Sequence, residues 1–480
     1  MSYIRTASDF RKEAHKMADW LADYYEQIES YPVKSQVSPG EIKNKIPEEA
    51  PLQADSMDEI MKDFNDIIMP GITHWQHPSF FAYFPANTSF PSILAEMLTA
   101  GLAQQGMIWE TSPAAAELEE RMMLWIRRMC GLPQHFTGVI QDTASTSTLV
   151  ALLTAREKLS GYTINSKGYT EGKQYRIYCT SETHSSIDKA ARIAGFGSEN
   201  IVRVAIDGRH AMRPEALKEA IYDDILHGYI PCCVVATIGT TGCAAADPIY
   251  SIGDVCKHFN VWLHVDAAYA GTAMVVPIMR HFIRGIELAD SYVFNPHKWM
   301  FTNFDCSAYY VADKEALIRT FEILPEYLKT ESRGEVNNYR DWGIQLGRRF
   351  RALKLWFVIR NFGAVRIREF VTRHLEMAEW LSEMLALEPD FDLLAFTRFG
   401  LVCFRYQPVG IKDEIAVDEL NKQLEKQLND SGKMYISHTV VNGKYTLRLV
   451  VGQTYVQQHH VEAAFERIID TARKLPPIKG

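Results

Sequence analysis

Lys298 lies in Phe294-Asn295-Pro296-His297-Lys298-Trp299 and is the only Lys or Arg between Arg284 and Lys314. Most lysines snorkel to solvent, but the flanking Tyr292, Val293, Phe294, Trp299, Met300 and Phe301 leave little polar surface to reach for. Desolvation lowers the pKa of an ammonium and yields a nucleophilic amine, as a Schiff base with an aldehyde requires. On this segment alone, a solvated lysine and a nucleophile are equally good readings.

Three further segments offer partners for such an amine. Val261-Trp-Leu-His-Val-Asp266-Ala-Ala268-Tyr reads as a buried strand ending in one carboxylate, followed by small residues. A carboxylate there could hold a pyridine nitrogen protonated while the alanines let a flat ring lie close. Taken singly, an Asp capping the next helix is the better reading. Gln141-Asp-Thr143-Ala144-Ser145-Thr-Ser-Thr148 feeds a helix, so its amides, hydroxyls and helix dipole could hold a phosphate without basic residues. One capping Ser or Thr would explain less of that run. Tyr178-Cys-Thr-Ser-Glu-Thr-His184 brings an imidazole to the mouth of a helix, where it could stack on a planar ring. A lone histidine, however, is more often structural.

Other chemistries fail on spacing. Gly168-Tyr-Thr-Glu-Gly172-Lys173 is one residue short of a P-loop, and Gln174 replaces its Ser/Thr. No G-x-G-x-x-G follows a strand, and H-E-x-x-H and G-x-S-x-G are absent. His264 and Asp266 fall short of a metal site without a third ligand. The eight scattered cysteines have one adjacent pair, Cys232-Cys233, and no C-x-x-C, so reduced thiols are expected rather than a disulfide frame or zinc site. A net charge of −8 without a basic run argues against a nucleic-acid or anionic-membrane surface. No apolar stretch approaches the ~20 residues of a membrane span, and the first residues lack a signal-peptide core, so a cytoplasmic protein is expected.

The elements that must position these segments follow from periodicity. Phe10, Ala14, Met17, Leu21, Tyr24 and Ile28 form one apolar stripe, which predicts a helix packing on its own domain or on a second subunit. A proline-punctuated stretch and a second helical pattern to about Ile68 follow. From about residue 90 to 350, short apolar runs (Arg176–Thr180, Ile201–Ile206, Cys232–Ile238, Val261–Val265, Ser291–Phe294 and Ser307–Val311) alternate with helices. That predicts an α/β fold with a mostly parallel sheet flanked by helices and a ligand at the strands' carboxyl ends. Ser112-Pro113 and Gly131 mark one helix's ends. After Gly363, long helices, strands Phe399–Tyr406 and Tyr445–Val451 and a last helix His460–Lys474 suggest a small α+β domain. The expected division is 1–89, 90–353 and 354–480.

Together these segments resemble the aromatic-L-amino-acid decarboxylases, the group II pyridoxal-phosphate-dependent decarboxylases of fold type I. The likeness runs from HPSFFAYFPANTSFPSILAEML through WETSPAAAELE, VIQDTASTSTLVALL, LHVDAAYAG, FNPHKW and NFDCSA to LGRRFRALKLWFV and TLRLVVGQ. It covers nearly the whole chain. The resemblance implies that Lys298 carries the pyridoxal phosphate, Asp266 pairs with the pyridine nitrogen, Ala268 underlies the ring and His184 stacks above it. Ala144, Ser145 and Asn295 would bind the phosphate, with Thr143 adjacent. Thr241 and Asp247 would lie beside the cofactor, and His297 near cofactor and substrate. It also implies a homodimer with interlocked N-terminal helices and sites at the interface.

The same resemblance bears on reaction and substrate. Tyr327 matches the tyrosine that protonates the substrate carbon after carbon dioxide leaves. Relatives with phenylalanine there tend to release an aldehyde, and some aldehyde-forming relatives replace the histidine matching His184. Having both residues favours simple decarboxylation over an arylacetaldehyde synthase or another group II decarboxylase. Trp75, Tyr83, Phe84 and Phe304 match an aromatic substrate pocket. Gln105 and Met107 replace the Ile and Phe of animal members, and Ala86 replaces their Thr. Gly347 matches the small residue of indole-specific plant relatives, which tilts the expectation to tryptophan, with tyrosine, phenylalanine and dihydroxyphenylalanine open. Glutamate is disfavoured, since no extra cation is evident in those segments.

Overall fold

The computed structural model describes residues 4, 6–170, 172–323 and 335–476. The chain divides into two compact units, one of Phe84–Trp380 with Leu394–Cys403, the other of Met1–Tyr83 with Leu381–Leu393 and Phe404–Gly480.

The first helix, α1 (Ala7–Glu26), starts at a capping box in which Thr6 and Asp9 satisfy each other's backbone amides. None of its residues is buried in this chain.

The larger unit opens with α2 (Phe90–Leu102) and α3 (Pro113–Cys130). Helix α3 has proline in its first turn and stops at Gly131 with φ +71°. Ser112 stands at the N-cap, but its side chain makes no capping hydrogen bond, unlike the usual serine cap. A sheet follows, built from β1 (Thr137–Gln141), β2 (Tyr175–Cys179), β3 (Ile201–Arg203), β4 (Ile230–Thr237), β5 (Trp262–Asp266), β6 (Ser291–Phe294) and β7 (Ser307–Val311). Its order is β1-β7-β6-β5-β4-β2-β3. Pairs β2–β3, β2–β4, β4–β5 and β5–β6 are parallel, while β7 runs antiparallel between β1 and β6.

Between the strands run α4 (Ala144–Leu159), α5 (Ser186–Ile193), α6 (Pro214–Leu226) and α7 (Ile249–Phe259), then the single turn α8 (Pro296–Trp299) and α9 (Lys314–Phe321). Ile177, Val235, Val293, Tyr309, Leu317 and Trp342 belong to one buried cluster that ties strands to helices. Strand β1 escaped the periodicity reading because Thr137-Gly138 opens it. Gly138 is required, since a Cβ there would lie 2.4 Å from Met123 and 2.7 Å from the Tyr310 ring. The helical run α10 (Arg351–Leu387) is broken at Gly363, φ +73°.

In the smaller unit, β8 (Phe391–Leu393), β9 (Leu401–Tyr406), α11 (Glu414–Asp430), β10 (Ser437–Val441), β11 (Lys444–Val450) and α12 (Gln458–Arg473) complete the chain, with sheet order β10-β11-β9-β8. Its N-terminal segment joins this sheet through backbone bonds: the Phe81 amide donates to Tyr435 and the Val450 amide to Phe81. Those bonds explain why residues up to Tyr83 group with the C-terminal strands instead of forming the separate 1–89 segment expected from sequence. The long helix α10 likewise stays with the larger unit as far as Trp380, well beyond the expected boundary at 353.

Candidate active site

Five strands, β1, β2, β4, β5 and β6, end at one edge of the sheet, and each delivers a residue to a cavity of about 200 Å³. From β6 come Asn295, His297 and Lys298; from β5, Asp266, Ala268 and Tyr269; from β4, Thr237, Gly239 and Thr241. Strand β2 leads to His184 and Ser186, and β1 leads to Thr143, Ala144 and Ser145 at the start of α4. Phe84 and Phe304 complete the wall.

Lys298 is half-buried, and its amine makes no hydrogen bond among the described residues; the nearest aromatic face is Phe84, centroid 5.6 Å from Nζ. Desolvation lowers its pKa, against the opposing pull of Asp266. The backbone beside it is fixed, because Asn87 Nδ2 donates to the Lys298 carbonyl at 2.8 Å and the Asn87 backbone amide to the His297 carbonyl at 3.0 Å. Asp266 is buried, and one carboxylate oxygen accepts the Ala268 amide at 2.9 Å, which sets the plane of the group. Thr237 faces Asp266 across the β4–β5 register, and its buried hydroxyl has no hydrogen-bond partner among the described residues.

Both histidines are held in one tautomer. The Ser186 amide donates to His184 Nδ1 at 3.1 Å and the Cys306 amide to His297 Nδ1 at 2.8 Å, so each neutral ring carries its proton on Nε2. Burial depresses both pKa values, that of His297 to about 3. His184 lies exposed at the mouth, whereas His297 is buried against Phe304, ring centroids 4.7 Å apart.

Thr143 caps α4 by accepting the Thr146 amide, so the amides of Ala144 and Ser145, at the open end of the helix, are left without intrahelical acceptors. Asn295 is buried with its carbonyl oxygen accepting from Ser307 at 2.7 Å. Gly239 needs its glycine: φ is +81°, and a Cβ would sit 2.6 Å from Ala270. Behind the cavity, Phe84, Tyr269 and Trp299 form a stack with centroid spacings of 3.9 and 4.6 Å, closed by Trp299 Nε1 donating to His374 Nδ1.

The remaining expected residues fall elsewhere. Asp247 does not line the cavity: it is buried, and its two oxygens accept the Met212 and Thr237 amides, both at 2.7 Å. It therefore anchors β4 from behind, with burial pushing its carboxyl up to about 6. Gln105 and Gly347 are exposed and face each other, with the Arg348 amide donating to Gln105 Oε1 at 2.7 Å, while the Met107 carbonyl accepts the Arg340 amide at 3.0 Å. None of the three lines this cavity. Trp75 and Tyr83 stack on one another in the smaller unit, centroids 5.9 Å apart. Tyr327 lies outside the described residues. Conversely, Thr237, Gly239, Tyr269 and Ser186 line the cavity without having been singled out in the sequence. Thr237 carried a usable signal, a polar residue closing the apolar run Cys232–Ala236, just as Asp266 closes β5.

The pyridoxal-dependent decarboxylase conserved domain matches residues 39–407. The chain is 41% identical to tyrosine decarboxylase 4 of Petroselinum crispum, covering 97% of this chain and 94% of that one. It is 40% identical to phenylacetaldehyde synthase of Arabidopsis thaliana, covering 98% and 97%. Among solved structures, Oryza sativa TDC with PLP and tryptamine superposes with a TM-score of 0.95 at 36% identity, covering 99% of both chains.

Proposed function

The chain belongs to the pyridoxal-dependent decarboxylases, and from that premise we propose a tryptophan-preferring aromatic-L-amino-acid decarboxylase that works as a cytoplasmic homodimer. Its class is a carboxy-lyase that uses pyridoxal phosphate on aromatic amino acids. The observation that carries the site assignment is the half-buried Lys298 beside the buried Asp266 and the unpartnered Thr237 hydroxyl, set opposite an open helix end in one cavity.

That arrangement fits the cofactor group by group. Lys298 would hold its aldehyde carbon and Asp266 its pyridine nitrogen. The amides of Ala144 and Ser145, with Asn295, would take the phosphate, and Ala268 and His184 the two ring faces. When bound, the cofactor supplies an electron sink for the pair left on the substrate carbon as carbon dioxide departs. The protein's own part is orientation and charge. Asp266, fixed by the Ala268 amide, would keep the ring nitrogen protonated. His184 and His297, neutral and donating from Nε2, can hydrogen-bond an acidic substrate without adding a competing cation. Tyr327 would return a proton to the substrate carbon.

Association of two chains is supported by what one chain leaves uncovered. Phe90, Leu94, Met97, Leu98 and Leu102 of α2 are 46–58% exposed, and Ile344 and Leu346 near Gly347 are each 51% exposed. On α1, Phe10 is 57% exposed. In such a dimer, Gln105, Met107 and Gly347 would serve the neighbouring chain's substrate pocket, with Phe84 and Phe304 as aromatic walls; the resemblance also assigns Trp75 and Tyr83 to the substrate.

The test is a product assay with the holoenzyme and an equimolar mixture of tryptophan, tyrosine, phenylalanine, dihydroxyphenylalanine and glutamate, read by mass spectrometry. Tryptamine in excess over tyramine supports the reading. Excess tyramine overturns the tryptophan preference, and aldehyde with ammonia and peroxide overturns amine formation.

A further inference from the structure

Three chemically different donors converge on the outer side of the loops that frame the cavity. Glu182 follows β2, His210 sits in the turn after β3, and Cys243 lies in the loop after β4. One ligand atom from each, a carboxylate oxygen, an imidazole nitrogen and Sγ, lie within 4.8 Å of one another. Cys243 Sγ is 4.0 Å from Glu182 Oε2 and 3.7 Å from the Thr240 hydroxyl.

We propose that Glu182, His210 and Cys243 form a binding site for a soft divalent metal, zinc being the best match, distinct from the cofactor cavity. His210 is only 8% exposed, so its imidazole is held beside the thiol and the carboxylate within the fold and not on an open surface. Cys243 is 4% exposed, while Glu182 is partly exposed and gives the ion a route in. The set of one sulfur, one nitrogen and one oxygen suits zinc, and a thiolate ligand disfavours magnesium and calcium. Tetrahedral zinc needs donor separations of about 3.3–3.6 Å, so the loops must close by about 1 Å. The fourth position falls to water or the Thr240 hydroxyl. On binding, the Cys243 thiol releases its proton to solvent and its sulfur lone pair goes to the metal. Glu182 and Asp207 bring two negative charges to the neighbourhood and Arg209 and Arg398 two positive ones, so the charge of a bound divalent ion is met chiefly by Glu182 and the Cys243 thiolate.

The position gives the site a consequence. Glu182 is two residues before His184, and Cys243 two residues after Thr241, both of which line the cavity. A bound ion would tie together the loops that carry them. The three donors come from separate loops, which is why no local cysteine or histidine spacing announced them.

The test is a cobalt titration of the holoenzyme, read by the visible d–d bands of tetrahedral cobalt and by competition with zinc. The parent should take one cobalt per chain, displaced by zinc, and zinc should raise its unfolding midpoint. Cys243→Ser and His210→Asn should each weaken binding by about tenfold or more; asparagine tolerates the positive φ of +60° at 210. Glu182→Gln, at the partly exposed ligand, carries the comparison if either buried substitution impairs folding. Absence of the bands in the parent, or bands and affinity unchanged in the variants, overturns the site. Amine production by the holoenzyme is scored separately, so loss of this site and loss of the decarboxylase reading are distinguishable.

Discussion

Thr237 and Asp266 are direct register partners at the carboxyl ends of adjacent parallel strands, and both face the same cavity. The carboxylate is oriented by a backbone amide, whereas the hydroxyl has no partner among the described residues. A buried hydroxyl without an internal bond costs folding free energy, so it is a group that a ligand could satisfy. Thr237→Val should change stability by no more than about 1 kcal/mol yet lower cofactor affinity by about tenfold, one hydrogen bond's worth. Parallel thermal unfolding of the cofactor-free proteins and fluorescence titration with pyridoxal phosphate check this; equal affinities refute it.

Lys298 should capture its cofactor at lower pH than an ordinary lysine would. Burial lowers the pKa of its ammonium, and only the neutral amine attacks. The capture rate should therefore rise with pH to a midpoint below 10.5. Stopped-flow absorbance on cofactor-free enzyme measures it, and a midpoint at or above that of free lysine contradicts the desolvation argument.

Tyr327→Phe should lose most amine formation. Without a proton for the substrate carbon, the reduced centre is left to dioxygen, so oxygen uptake, aldehyde, ammonia and peroxide should appear together. An oxygen electrode alongside mass spectrometry settles the point: amine at the parental rate removes Tyr327 from proton donation.

Gly347→Ser should move the product ratio from tryptamine toward tyramine by about tenfold, the scale set by one small group in a pocket. A Cβ at Gly347 would lie 3.1 Å from Gln105 Nε2, so the Gln105 side chain must give way as well. Competition assays with both amino acids read the ratio directly, and an unchanged ratio detaches Gly347 from selectivity.

Met97→Asp, on the uncovered face of α2, should shift the enzyme from dimer to monomer and lower turnover with it. Sedimentation velocity and rate measured on the same samples provide the check. A monomeric parent, or a monomeric variant of full activity, removes the interface from the mechanism.

Much of this was legible in the chain because buried parallel strands are dense apolar runs, and a polar residue ending such a run stands out. Ser291–Phe294 and Ser307–Val311 match β6 and β7 for that reason, and Lys298, Asp266 and His184 lie at or just beyond the ends of β6, β5 and β2. Asp247, placed beside the cofactor by resemblance alone, accepts two backbone amides and is not part of the cavity lining, an arrangement that no local pattern marks. Tyr269 was hidden in an apolar stretch, since nothing local reveals that its ring stacks between Phe84 and Trp299. The grouping of Phe80 and Phe81 with Tyr435 and Val450 depends on pairing across more than 350 residues, beyond the reach of periodicity.

The antiparallel strand β7 also imposes an order on assembly. Among the described residues, strand β1 has only β7 as a sheet neighbour, with Thr137 paired to Val311. On the ribosome, β1 and the helix end behind it must wait until residues past 311 emerge, about 10–30 s later at ordinary elongation rates. Lys298 is synthesised just before that closing strand. The Lys298 amine and the open end of α4 are thus brought together in one of the last steps of the sheet, and a nascent chain arrested before β7 would lack the assembled cavity.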